Sequence, residues 1–221
     1  MHPTDWFKKQ GRTVQDMNDP HGLDLSPMMQ STLEIALVGT AMILLVSKGR
    51  RNAIEAVAIL ALAVIGRMLM EPIPNVQPVT VLVMLAAVRI GGSQAASIGI
   101  LAAYLSNLSM GGGSWTVIQA LSWASVGILT ALLMRNSELC SRSFTAYTLL
   151  MGFVYGFLVS LPLGMQMWIS GLPFDLLHAI GNLTIAVWTV DLIDRTLGTS
   201  SELEWVRPDL NRGLTAPSRQ V

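Results

Sequence analysis

Charge is what this sequence has least of. Charged residues make up 13% of the 221, against about 25% in a soluble globular domain. The last lysine is Lys48, and the stretch from Ala53 to Leu197 holds eleven charged residues in all. That scarcity excludes a water-facing surface over most of the chain. The formal net charge is zero, which excludes the cationic footprint that nucleic-acid binding requires. Cys140 is the single cysteine, so no intrachain disulfide and no cysteine-based metal site can form; it reads as a small apolar filler or a loop residue. There is no Gly-x-x-x-x-Gly-Lys-Ser/Thr loop, so the chain is not its own ATPase by that route. His-Glu-x-x-His and Gly-x-Ser-x-Gly are missing as well. No run of acids within the apolar segments suggests a proton relay. No internal repeat is evident, which weighs against a large two-fold secondary transporter. The polar first 30 residues, with Lys8, Lys9 and Arg12, lack the apolar core that follows the positive charges of a signal peptide.

What the chain does have is apolar length. A bilayer core about 30 Å thick calls for about 20 apolar residues per helix. Seven segments approach this: Thr32–Ser47, Ala53–Met70, Val79–Ile90, Ala95–Leu108, Thr116–Met134, Phe144–Trp168 and Leu176–Leu197. The third and fourth are short, which suits a compact bundle with a cavity open to one face. Pro72-Ile-Pro-Asn-Val-Gln-Pro78 cannot be helical, because proline removes donors and pushes its predecessor to extended conformations. Gly111-Gly-Gly-Ser114 is a second break. The expectation is an all-α integral membrane protein. A polar tail (1–30) precedes an extra N-terminal transmembrane helix with its basic loop (31–51). A six-helix membrane domain (52–198) and a polar cytoplasmic tail (199–221) follow. The first segment carries Glu34 and either spans or lies in the interface; its length and the Lys48–Arg51 stop signal favour spanning.

Lys48, Arg50, Arg51, Arg89, Arg135, Arg142 and Arg195 all fall on one side if the segments alternate. That side is expected to be cytoplasmic in a multi-pass cell-membrane protein, together with the C-terminus and the start of the six-helix core. The loops around Pro74, Gly112 and the Ser170–Phe174 turn would then share the outer face.

Polar groups among apolar helices need a reason, since each costs free energy unless satisfied. Arg67, about one turn from the outer end of its helix, either snorkels and pairs with Glu71 at i+4 or anchors an anionic or carbonyl group of a ligand. Gln119 and Trp123 share a helix face, with Trp115 one turn earlier at the outer edge. Trp115 is an interface anchor or part of a stacking wall with an amide handle. Asp175, His178 and Asn182 form one polar stripe on the last helix. Asp175 would be its N-cap or first-turn residue, whereas His178 and Asn182 either bond other helices or line a cavity. One histidine and one carboxylate are too few ligands for a metal. Asn107 ends the fourth segment beside the glycine loop, Asn75 and Gln77 lie in the proline loop, and Gln166 lies near the outer end of the sixth segment. All converge on one face.

Three of these stretches carry a resemblance. Arg67-x-x-x-Glu71-Pro-Ile-Pro-Asn-Val-Gln-Pro-Val-Thr80 resembles the end of the first core helix and the following loop of the substrate-binding S components of energy-coupling factor (ECF) transporters. Ser106-Asn-x-x-Met-Gly-Gly-Gly-Ser-Trp-Thr-x-x-Gln119, with Trp123 and Gly127, is similar to a second part of that family, and Pro173-Phe-Asp-Leu-Leu-His-Ala-Ile-Gly-Asn182 to a third. They occur in the family's order and cover about Ala53 to Leu197. The resemblance implies six helices that capture a vitamin or related micronutrient from outside and work with a membrane scaffold subunit and two ATPase subunits. It implies no cofactor and no covalent chemistry. Arg67, Asn75, Gln77, Asn107, Trp115, Gln119, Trp123, Asp175, His178 and Asn182 would hold the ligand, with cobalamin-like cargo one option. The family's Ala-x-x-x-Ala docking spacing is not matched. Ala53, Ala56, Ala63 and Gly66 lie near one helix face instead, and either dock the scaffold or pack inside the bundle. Two rivals stand beside this reading: a small intramembrane hydrolase or transferase using Asp175 and His178, and a ligand-free membrane scaffold protein.

Overall fold

The computed structural model describes residues 26–134 and 141–197. Among them are seven α-helices, one 3-10 turn and no strand: α1 (Pro27–Val46), α2 (Arg50–Leu69), α3 (Val79–Arg89), α4 (Gly92–Met110), α5 (Ser114–Met134), α6 (Ser141–Ser160), the turn Leu161–Leu163, and α7 (Met165–Leu197). Four spans are long and apolar enough to cross a membrane: Met28–Val46, Arg50–Leu69, Ser114–Met134 and Phe144–Leu163. Their outward faces are apolar, with Ile43 70% and Leu132 62% exposed. Arg67, Arg89, Gln94, Asn107, Gln119, Asp175, His178 and Asn182 are buried. Apolar outward faces around buried polar groups suit lipid, whereas in water so large an apolar surface would drive association.

Local signals set the helix ends. Ser26 caps α1 by accepting from the Met29 amide at 3.3 Å, ahead of Pro27 at the first helical position. α1 packs along α4, and its Glu34 accepts from Gln30 at 2.9 Å. The helix carbonyls at the opposite end, which lack intrahelical partners, are met by side chains from other elements. Lys48 donates to the Ile90 carbonyl at 2.8 Å and Gln94 to the Leu44 carbonyl at 3.1 Å. Arg89 is paired with Glu55 beside them.

The helix α3 has 11 residues, ten of them buried, and packs against α2, α4, α5, α6 and α7. At 1.5 Å per residue it covers about 16 Å, half of a bilayer core. It is therefore a central post, and the proline loop that precedes it folds back beside the last turns of α2. Gly66 on α2 makes room for this, since a Cβ there would stand 2.6 Å from Pro78 Cγ.

Glycine also sets two helix contacts. A Cβ at Gly99 of α4 would meet the Trp123 backbone at 2.8 Å, and one at Gly127 of α5 the Ala95 backbone at 3.0 Å. On α6, Gly152 and Gly156 face Ala179 and Asp175 of α7. This small-xxx-small spacing lets backbones approach closely where no water drives association.

Three expectations are corrected. The sixth segment ends at Ser160 rather than Trp168, followed by the 3-10 turn and Gly164 at φ 95°. The stretch Ser170–Phe174 is helical, inside α7, with Pro173 in the helix interior. Asp175 thus lies well inside α7 and caps nothing, and Gln166 is an exposed residue of its first turn. Proline is tolerated in such helices because neighbours and local adjustment re-satisfy the freed carbonyl. The third correction concerns the small residues of α2. Ala56 and Ala63 are fully buried within this chain and Gly66 faces Pro78, so that stripe packs inside the bundle and only half-buried Ala53 lies at its margin. The polar tail expected over 1–30 gives way at Pro27 to α1; residues 1–25, Arg135, Cys140, the tail 199–221 and the side chains of Arg142 and Arg195 lie outside the described residues.

Candidate ligand site

One end of the bundle carries the ends of α2, α4 and α6 and the starts of α3, α5 and α7. Here Arg67, 3% exposed, is held by four neutral side chains. Its Nε donates to Gln77 Oε1 at 3.0 Å. Its Nη1 donates to Asn107 Oδ1 at 2.6 Å and to Ser106 Oγ. Its Nη2 donates to Gln119 Oε1 at 3.4 Å. Asn107 in turn donates to Thr116 Oγ1 at 2.8 Å and to Gln119 Oε1 at 2.9 Å. With the Gln119 amide oxygen and nitrogen interchanged, which suits its neighbours better, the oxygen accepts from Trp115 Nε1 at 3.0 Å and Arg67 Nη2 at 3.2 Å. Both orientations keep that oxygen on the guanidinium. Of the five guanidinium N–H donors, four are engaged, all by uncharged groups. Glu71 lies past the end of α2 and is exposed; it acts on Arg67 electrostatically, but no carboxylate among the described residues is in contact with the guanidinium. The i+4 relation to Glu71 is therefore not a contact pair.

Arg67 also lies over the fully buried Trp123 ring, 5.1 Å from its centroid, a contact worth about 2 kcal/mol when desolvated. From there the network runs deeper. Trp123 Nε1 donates to Thr80 Oγ1 at 3.1 Å, and Thr80 Oγ1 meets His178 Nε2 at 2.9 Å. Tyr155 is sandwiched between the two rings, 4.8 Å from Trp123 and 5.1 Å from His178.

Arg67, Gln77, Asn107, Trp115, Gln119, Trp123 and His178 are therefore brought into one connected set. Three sequence-predicted residues are not. Asn75 takes a left-handed backbone, φ 57°, which asparagine tolerates better than most residues, and acts as a turn former. Asp175 and Asn182 share the α7 face of His178 but join no part of the network. Asp175 Oδ2 has no hydrogen-bond partner, and Asn182 donates to the Thr148 carbonyl at 3.4 Å while its Oδ1 has none. The structure adds Thr80, Ser106, Thr116 and Tyr155. The hydroxyls sit within polar-rich stretches, which was a usable signal. Tyr155 lies in an apolar run with nothing to mark it. Among the described residues no group of three or more His, Cys, Asp or Glu is placed to hold a metal.

No family model, no curated protein and no solved structure matches this chain.

Proposed function

We propose that this chain is the substrate-binding membrane subunit of an ECF-type importer, capturing a vitamin-like small molecule with an acidic group. A six-helix S-component-like core, α2–α7, would present Arg67 toward the outside, and a scaffold subunit with two ATPases would drive inward delivery. The observation that carries this reading is the Arg67 guanidinium: buried, oriented by four neutral side chains from three elements, and in contact with no carboxylate among the described residues. Burying a charge without a partner is costly, so an anion arriving at the spare N–H gains both a charge-assisted hydrogen bond and Coulomb attraction. The half-buried Gln77 and Trp115 and the exposed Gly111 and Gly112 supply an approach from the loop side. The intramembrane-enzyme alternative has less support. His178 uses Nε2 on Thr80, and no hydrogen bond joins it to Asp175.

The test is a thermal-stability screen of the purified protein in detergent against vitamins and their precursors. A ligand at 100 times its Kd adds about 2.7 kcal/mol. Stabilisation by an acid-bearing compound that is lost in Arg67→Gln is the expected result. No stabilisation by any compound rules the binding reading out.

A further inference from the structure

Among the described residues, Asp175 is the buried charge on this side of the bundle that the network leaves aside. Its side chain is nine-tenths buried and Oδ2 has no donor. The carboxylate is seated against Gly156 of α6, where a Cβ would collide with it, so it has been given space rather than squeezed out. The Trp168 indole, packed edge-on against Phe157 at 5.4 Å, lies within hydrogen-bonding reach of the carboxylate. One neutral N–H would in any case fill one of the roughly four acceptor sites of a carboxylate and leave its charge. Seven residues on, along the same face, Asn182 is fully buried with Oδ1 unpartnered. Two acceptor oxygens without a hydrogen-bond partner thus lie before and after His178 on one face of α7. Tyr155 separates the two charges in the stack: Arg67 lies over Trp123, which stacks on Tyr155, and His178, three residues after Asp175 on α7, stacks on Tyr155 as well.

We propose that Asp175 is the second pole of the ligand site and receives an ammonium or protonated amine, so that the cargo is a zwitterion whose acid meets Arg67 and whose basic nitrogen meets Asp175 across Tyr155. This rests on the binding role given to Arg67 above and narrows its substrate class. The complementarity is mutual. Neither buried charge makes a contact ion pair among the described residues, and one molecule of opposite ends supplies both.

The experiment uses the full chain in detergent and two matched series: ω-amino carboxylates from β-alanine to 8-aminooctanoate, and unbranched monocarboxylates of the same lengths. Affinities are read from thermal stability against concentration. At one chain length the amino acid should bind at least tenfold tighter than its monocarboxylate. That ratio should fall to about one in Asp175→Asn, with the monocarboxylate affinity unchanged. Equal affinity of the two series at every length overturns the proposal, as does a preference that survives Asp175→Asn. Monocarboxylate binding that is lost in Arg67→Gln but shows no amine preference defeats this inference alone. Absence of binding by either series also overturns this inference, and the vitamin screen with Arg67→Gln decides the Arg67 reading separately. If Asp175→Asn does not fold, the wild-type comparison of the two series decides.

Discussion

The carboxylate of Asp175 on α7 lies against the backbone of Gly156 on α6, so closely that no side chain fits at position 156. Gly152 meets the Ala179 backbone in the same way, with a Cβ placed 2.7 Å from Ala179 Cα. The α6–α7 contact is therefore a backbone-on-backbone seam with one acid built into it.

Gly156→Ala should lower the melting temperature in detergent, because overpacking a fitted contact costs about 1–3 kcal/mol. Gly171→Ala is the control. Nothing lies within 4 Å of its Cβ position, and alanine is the better helix former, so stability should hold or rise. Equal losses at both sites would show that the seam is not as close as described.

Arg67→Lys should keep the charge and lose the geometry. A lysine ammonium has three donors on a flexible stem and cannot reproduce the planar fork that reaches Gln77, Ser106, Asn107 and Gln119. Stability should fall by about 1–3 kcal/mol, the cost of buried polar groups left unmade, and affinity for an acidic ligand at least tenfold. Wild-type stability in this variant would mean the fork is not in use.

Thr80→Val and Trp123→Phe probe the same hydrogen bond from its two ends. Thr80→Val strands the indole N–H and the His178 nitrogen, at about 1–3 kcal/mol. The double variant should be less destabilised than the sum of the two, by about 0.5–3 kcal/mol of coupling. Strict additivity in chemical-denaturation measurements would show that the two side chains do not act through each other.

Pro173→Ala tests whether residues 170–174 are helix or turn. In an unbroken α7 the new amide at position 173 gains the Ile169 carbonyl, four residues back, as acceptor. It should exchange slowly with deuterium in detergent. Fast exchange there would restore the turn that the sequence suggests.

Sidedness is tested with thiol chemistry in intact cells. Pro74 is exposed in the loop before α3. Pro74→Cys in a Cys140→Ser background should react with a membrane-impermeant maleimide, whereas native Cys140 should not. The reverse pattern would turn the Arg67 end toward the cytoplasm and end the uptake reading.

The sequence by itself marked out the apolar runs long enough to cross a membrane and the polar residues that interrupt them. Length and composition of apolar runs are local properties, and a bilayer imposes a minimum of each. That is why α1, α2 and α5 were legible within a few residues, and why alternation placed Arg67, Gln77, Asn107 and Trp115 at one end. It did not determine the α6–α7 boundary. Proline at 173 and glycine at 171 mark a turn in water, but α7 runs through both, and the break falls at the less conspicuous Ser160–Gly164. Nor did it give the partners. Arg67 meets Asn107 and Gln119 from 40 and 52 positions away, and Thr80 meets His178 from 98. Only helix packing decides such pairs. Packing also turned Ala56 and Ala63 inward, slid Tyr155 between two rings, and left Asp175 in a glycine-lined seat without a counter-charge. Each of these depends on how closely two backbones approach, a property of the assembled bundle and not of any one helix.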